Sequence, residues 1–308
     1  MNVSRSKSLC CVALLGVACS GNDNSARTTH RVENTGTAGS NGTGGRESGG
    51  GGTGSPAGVK AEAGVTGAKL KWQVIWPSQA DGSPGVEGVK VCVDAHPAIA
   101  CVMTDAGGNF TLPGLPGDTE LVLLFEKDGY LPVLKPIETS NIDMEGRGSI
   151  AMLKVMDSPR SMFQFQTDPG FDIDTKSKGS ISFFVVGPEA DSAIGVGPLL
   201  GGRAALSPAA GDGPIYRRAD GALDLGLEAT DQNGGNFFFN VPPGDYEVRF
   251  TAPPGFDCAS ISFPFAGWGY PIAGEPAVHV PVRQGHITGD IGVLCTPGVD
   301  AGSTPTQD

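Results

Sequence analysis

The sequence predicts an all-β chain in which two modules of the same fold stand in tandem. Gly 48 and Pro 24 in 308 residues supply many turns, and stretches with helical periodicity are almost absent. Apolar residues instead alternate over short runs, as strands require. The deciding observation is a repeat. Thr104-Asp105-Ala106-Gly107-Gly108-Asn109-Phe110 returns as Thr230-Asp231-Gln232-Asn233-Gly234-Gly235-Asn236-Phe237, with one inserted residue. Pro116-Gly117-Asp118 then returns as Pro243-Gly244-Asp245, and Gly129-Tyr130 as Gly255-Phe256. Phe110 and Leu112 alternate in the first copy, and Phe237, Phe239 and Val241 in the second.

Taken from the N-terminus, Arg5 and Lys7 precede an apolar stretch, Leu9 to Ala18, that is too short to cross a bilayer. This predicts a cleaved secretory signal over residues 1–18. Cleavage removes Cys10 and Cys11 and makes Cys19 the N-terminus, with Cys92, Cys101, Cys258 and Cys295 behind it. Four cysteines in an exported chain suit two disulfides, and Cys19 is left over. The pattern resembles that of bacterial lipoproteins, in which leucine stands three residues before the modified cysteine. Here Leu15 is one place early, ahead of Gly16-Val17-Ala18. The resemblance implies that Cys19 is lipidated and that the chain is exported to the outer membrane or cell surface, its membrane contact made through the lipid. Ordinary cleavage after Ala18 is the alternative, and it would leave Cys19 as an exposed free thiol.

Residues 19–67 read as a disordered tether. Fourteen glycines fall within 20–67, with Ser, Thr and Asn between them, so too little apolar surface is available to offset ordering entropy. His30 and Glu33 in this tether match a zinc-binding spacing, but a glycine-rich tail supplies neither a third ligand nor a rigid shell. The net charge of −12 excludes nucleic acid as a partner, because no basic surface is available to displace counterions from phosphates. It also excludes a basic membrane-binding face.

From Leu70 the pattern changes. Trp72, Val74 and Trp76 alternate with polar or apolar neighbours, and the two tryptophans are assigned to the core. Val89, Val91 and Val93 form a second run, and Ile99 to Thr104 a third after a turn at His96-Pro97. Paired as a hairpin, Val91 faces Val102, Val93 faces Ala100, and Cys92 lands opposite Cys101 at a separation that suits a disulfide. That bridge would lie on the solvent side, away from the valines. Cys258 and Cys295 form the remaining pair.

The repeat resembles the carboxypeptidase regulatory-like family of transthyretin-like, Ig-like β-sandwiches. The family's Thr-Asp-x-x-Gly-x-Phe and Pro-Pro-Gly-x-Tyr signatures are nearly complete from Thr230 to Tyr246. The first copy departs from them, with Thr119 in place of the tyrosine and Leu115 one place out of register with Val241. The resemblance implies sandwiches at 68–157 and 178–296, a connector at 158–177 and a tail at 297–308. It implies little about role, since one sandwich hosts many. The connector, with Met162, Phe163 and Phe165, is either a short helix or irregular.

No catalytic constellation emerges. His30 is in the tether, His96 at a turn, and His279 faces outward on a strand. No Ser lies in a Gly-x-Ser-x-Gly elbow, and no phosphate loop precedes a helix. The chain is therefore read as non-enzymatic, without cofactor or metal. Asp168, Asp172 and Asp174 lack the loop that calcium needs. Asp105 and Asn109, like Asp231, Asn233 and Asn236, fit hairpin-turn chemistry. One segment stands out as a binding candidate: Phe263, Phe265, Trp268 and Tyr270 in a Gly/Pro-rich loop between Cys258 and Cys295. Between Asp257 and Glu275 it carries no charge, so any binding would come from ring stacking at Trp268 and Tyr270. The competing reading is that these rings cover one end of the core. The functional expectation is a structural or adhesive envelope protein with a glycan or protein partner. The alternatives are a carbohydrate- or peptide-binding accessory to a separate hydrolase and, more remotely, a small hydrolase.

Overall fold

Leu70, Trp72 and Val74 point inward along the first strand while Lys69 and Lys71 face solvent, so the alternation read from sequence sets the backbone. The computed structural model describes residues 68–76, 84–139, 145–156, 158–189, 196–231, 235–260 and 269–298. The expected signal, the Cys19 lipidation site and the tether lie outside them. In the first copy, β1 (Ala68–Ile75) is followed by β2 (Lys90–Val93), β3 (Val102–Met103), β4 (Asn109–Leu115), β5 (Glu120–Glu126), β6 (Val133–Glu138) and β7 (Glu145–Ala151). One sheet has the order β4-β1-β7, with β7 parallel to β1; β3, β2, β5 and β6 pair antiparallel in the other. The core between them joins Leu70, Trp72, Phe110 and Leu112 to Val91, Leu121, Leu123 and Phe125.

The hairpin register is as read: Val91 pairs with Val102 and Cys92 is bonded to Cys101 on the exposed side. The third strand is shorter than expected. Beyond Val102 the chain turns, with the His96 and Ile99 amides donating to Val93 and His96 carbonyls, so Val93 pairs only with Leu123 of β5 and not with Ala100. Trp72 is core at 6% exposure, but Trp76 is only partly buried. Its outer face is covered by Lys154, whose Nζ lies 3.7 Å from the ring centroid.

A short helix, α1 (Pro159–Phe163), precedes the second copy. Ser158 caps it, accepting from the Ser161 amide, and Gln164 closes it with φ 57°. The second copy comprises β8 (Gly179–Pro188), β9 (Val196–Pro198), β10 (Arg203–Ser207), β11 (Asp212–Arg217), β12 (Leu223–Asp224), β13 (Asn236–Val241), β14 (Gly244–Thr251), β15 (Phe256–Ala259), β16 (Tyr270–Pro271), β17 (Ala277–Val282) and β18 (Ile287–Pro297). Its pairing repeats the first. β8 pairs antiparallel with β13 and parallel with β18, as β1 does with β4 and β7. β14 lies between β10 and β17 as β5 lies between β2 and β6.

The register corrects the sequence alignment. Phe110 stands opposite Trp72, Leu112 opposite Leu70 and Leu115 opposite Ala68. The counterparts are Asn236 opposite Phe183, Phe238 opposite Ile181 and Val241 opposite Gly179. No residue is inserted between Thr230 and the strand, and Asn236 rather than Phe237 takes the place of Phe110. Both ladders slip at the same step, where Gly114 (φ 76°) and Asn240 (φ 51°) take the positive φ of a bulge. Tyr246 likewise matches Leu121, not Thr119, because Leu123 pairs with Val93 as Val248 pairs with Leu206.

The same correction explains Phe237 and Phe239, which do not share a face with Val241. Phe238 and Val241 belong to the sandwich core, whereas Phe237 and Phe239 face outward into a third core with Met162, Phe163, Phe165 and Ile173 from the connector. The Phe163 ring meets those of Phe237 and Phe239 edge-on at centroid distances of 5.6 and 4.7 Å. Leu131 from the first copy and Ile287 from β18 complete this core. Next to it, β18 pairs parallel with β6, Ile287 opposite Val133 and Thr288 opposite Leu134. One sheet therefore runs through both copies in the order β12-β11-β13-β8-β18-β6-β5-β2-β3. The described residues all fall in a single compact unit.

Candidate functional site

The repeated turn motif is a structural clamp in both copies. The Thr104 hydroxyl, 4% exposed, accepts from the Val89 amide at 2.8 Å and donates to the Val86 carbonyl at 2.6 Å. The Thr230 hydroxyl accepts from the Gly202 amide at 2.8 Å and donates to the Leu199 carbonyl. Each threonine thus pins the chain that enters the second or tenth strand. Asp105 accepts from the Gly107 and Asn109 amides, at 2.9 and 2.8 Å, and the Asn109 amide hydrogen bond is the main reason its carboxyl lies below the usual value. Asp231 accepts from the Ala219 amide at 3.2 Å. Asn233 lies outside the described residues. Asn236 is fully buried and accepts from the Arg217 amide at 2.9 Å, so it belongs to the core rather than to a loop.

In the connector, Asp168 and Asp174 both serve turns. Asp168 accepts from the Gly170 amide, and Asp174 from the Lys176 and Ser177 amides and the Ser177 hydroxyl. The Asp172 carbonyl accepts from Asn240 Nδ2, which also donates to Asp212, while Asn240 Oδ1 accepts from the Asp174 amide. This network ties the connector to the bulge in β13. Among the described residues, no group of three His, Cys, Asp or Glu side chains is placed to hold a metal ion.

Both cysteine pairs are bonded. Cys258 and Cys295 stand directly opposite each other in the β15–β18 ladder, and Cys295 is fully buried in the second core. Of the aromatic segment, Phe263, Phe265 and Trp268 lie outside the described residues. Tyr270 is partly buried in β16, opposite His279 of β17, whose side chain is exposed as expected. Its surroundings differ from those of the uncharged sequence around it. Burial, followed by the carboxylates of Glu120, Asp94 and Asp245, raises the Tyr270 phenol above its ordinary value. Two of those carboxylates come from the first copy. Tyr270 therefore sits where the copies meet.

The same junction carries an ion pair that no local signal announces. Both Arg283 guanidinium ends reach the Asp94 carboxylate, Nη1 to Oδ1 at 2.8 Å, across 189 positions of chain. Asp94 follows directly on the strand that Cys92–Cys101 braces. A second arginine escaped the sequence reading for a different reason. Arg217, 7% exposed, donates from Nε to the Gly235 carbonyl at 2.8 Å and from Nη1 to the Gly221 carbonyl. Burial lowers it to about 10, so it stays charged at neutral pH.

The buried phenols make a pH prediction. Burial also raises the Tyr216 phenol, whose oxygen accepts from the Ala204 amide at 3.0 Å. Below the ordinary value of 10.0, Tyr216 and Tyr270 are protonated in both folded and unfolded chains. Above it the unfolded chain ionises first at both phenols, so stability falls as pH rises past 10; Arg217, which gives up its proton first in the folded chain, offsets part of that fall. Melting temperature followed from pH 8 to 11 will decline on that limb.

No protein-family model matches the chain, and no curated protein matches it. Among solved structures it is similar to the minor pilin GBS52 of Streptococcus agalactiae, at 14% identity, over 75% of this chain and 96% of that one, with a TM-score of 0.25. It is also similar to the Bacillus anthracis TIE protein, at 16% identity over 74% of this chain and 34% of that one, TM-score 0.22. A streptococcal ancillary pilin gives 12%, 75%, 63% and 0.22 in the same order. Superposition at this level bears on neither family nor role.

Proposed function

We propose that this is an exported, lipid-anchored cell-envelope protein whose two carboxypeptidase regulatory-like sandwiches serve a structural or adhesive role. The observation that carries the reading is the junction. Two copies that could have been separate beads share one sheet through β6 and β18, one apolar core around Phe163, and the Asp94–Arg283 pair. A rigid body of this kind is suited to holding a surface in place. The odd cysteine count supports the anchor: with Cys92–Cys101 and Cys258–Cys295 bonded, Cys19 is the cysteine left over once the signal is removed. Labelling cells with a tagged fatty acid will test it. The wild-type chain will take up label and enter the detergent phase, and Cys19→Ser will do neither. An unlabelled wild-type chain in the aqueous phase contradicts the proposal.

The second reading, a carbohydrate- or peptide-binding accessory module, is favoured by one observation. The flanks of the 261–268 segment are fixed, by Cys258–Cys295 on one side and by β16 on the other, which would limit the entropy lost on binding. Glycan-array binding that disappears in Trp268→Ala, with the melting temperature kept, would establish it.

A further inference from the structure

We propose that the chain is built to carry tension along its length, a reading that rests on the structural role above. The inference comes from which strands lie side by side. The first copy begins with β1 and ends with β7, and these two are hydrogen-bonded to each other in parallel. The second copy begins with β8 and ends with β18, again adjacent and parallel. Tension applied at the two ends of a copy pulls the first strand backwards and the last strand forwards. In a parallel pair that displacement lies along the strands. The bonds joining Trp72–Ile75 to Gly148–Ala151, and Phe183–Val186 to Ile291–Leu294, are then loaded together and must fail together.

An antiparallel pair entered at one end behaves differently. Ala68 stands opposite Leu115 at the same end of the β1–β4 ladder, so pulling those ends apart peels the bonds one at a time. The fold places parallel pairs, not antiparallel ones, at both pairs of chain ends. It does so twice. Two further features lie on the force path. The disulfide Cys258–Cys295 ties the far end of β18 to β15, and the first part of β18 is held by β8 on one edge and β6 on the other. A chain anchored at Cys19 and loaded beyond the end of β18 would receive force in this direction.

Single-molecule pulling of the chain from Cys19 onwards tests the inference. One construction is held at Cys19 and the C-terminal end. The other is held at Cys19 and at Gly117→Cys, an exposed turn position where an added side chain meets nothing within 4 Å. Rupture force in the first geometry will be several-fold above that in the second at equal loading rate, since forced unfolding follows the barrier and not the equilibrium stability. Reductant identifies the events. It will lengthen one rupture by about 130 Å and another by about 30 Å, from cysteine separations of 37 and 9 residues at ~3.5 Å each. Equal forces in the two geometries, or ruptures that reductant does not lengthen, would overturn the inference. The lipid anchor would be untouched by that result, because fatty-acid labelling of Cys19 reads it separately.

Discussion

Phe163→Ala will lower the stability of the folded chain by about 3–5 kcal/mol, the range for removing a fully buried aromatic ring. Phe163 is 2% exposed and its ring closes the third core against Phe237 and Phe239. The cavity would open between the connector and a strand covered on both faces, where backbone movement is opposed by the sandwich beneath. For a folded body of this size the loss corresponds to roughly 6–20 °C in melting temperature. A drop within that range, in chemical denaturation or calorimetry, is the expected result. A change under about 1 kcal/mol would mean that the connector lies loosely on β13.

Removal of Cys258–Cys295 by double alanine substitution will cost about 4 kcal/mol. The bonded residues are 37 apart in sequence, and loop-closure entropy in the unfolded chain grows with that separation. Loss of the fully buried Cys295 sulfur from the second core adds to the entropic effect. The same double substitution at Cys92 and Cys101, 9 apart and half-exposed, will cost less, about 2.7 kcal/mol. Midpoints of denaturation measured side by side check the order. If the shorter loop proves the costlier to open, chain entropy is not what these bridges supply.

Much of the fold was legible where two independent constraints agreed. The β2–β3 register satisfied both the valine alternation and the cysteine pair, and it holds at Val91–Val102. The threonine motif was legible as turn chemistry at Asp105 and Asn109, because Asp, Asn and Gly have few other reasons to occur together; Asn236, read the same way, is instead fully buried. The alignment of the copies failed where only one signal was available. Matching Phe237 to Phe110 assumed that an aromatic marks the inner face. β13 carries aromatics on both faces, because α1 and the loop after it cover the outer one. Periodicity of two cannot say which set of alternate residues faces which core. The bulge at Asn240 was equally silent, since asparagine at positive φ looks the same in sequence as asparagine in a turn.

The junction was hidden for another reason. Met162, Phe163 and Phe165 announced an apolar connector, but nothing local told that they would meet Leu131 and Ile287. Asp94 and Arg283 are ordinary surface charges until the fold brings them together. Tyr270 shows the same limit at the candidate site. Its own segment is free of charge, yet Glu120 and Asp94 reach it from the other copy, so a reading confined to neighbours in sequence described the surroundings as neutral.

Scanning calorimetry of the disulfide-intact chain tests the central claim, that the two copies form one body, most directly. A shared sheet and a shared core predict a single transition whose calorimetric and van't Hoff enthalpies agree, and which Phe163→Ala moves as a whole to lower temperature. Two transitions at separate temperatures, with Phe163→Ala shifting only one, would contradict it.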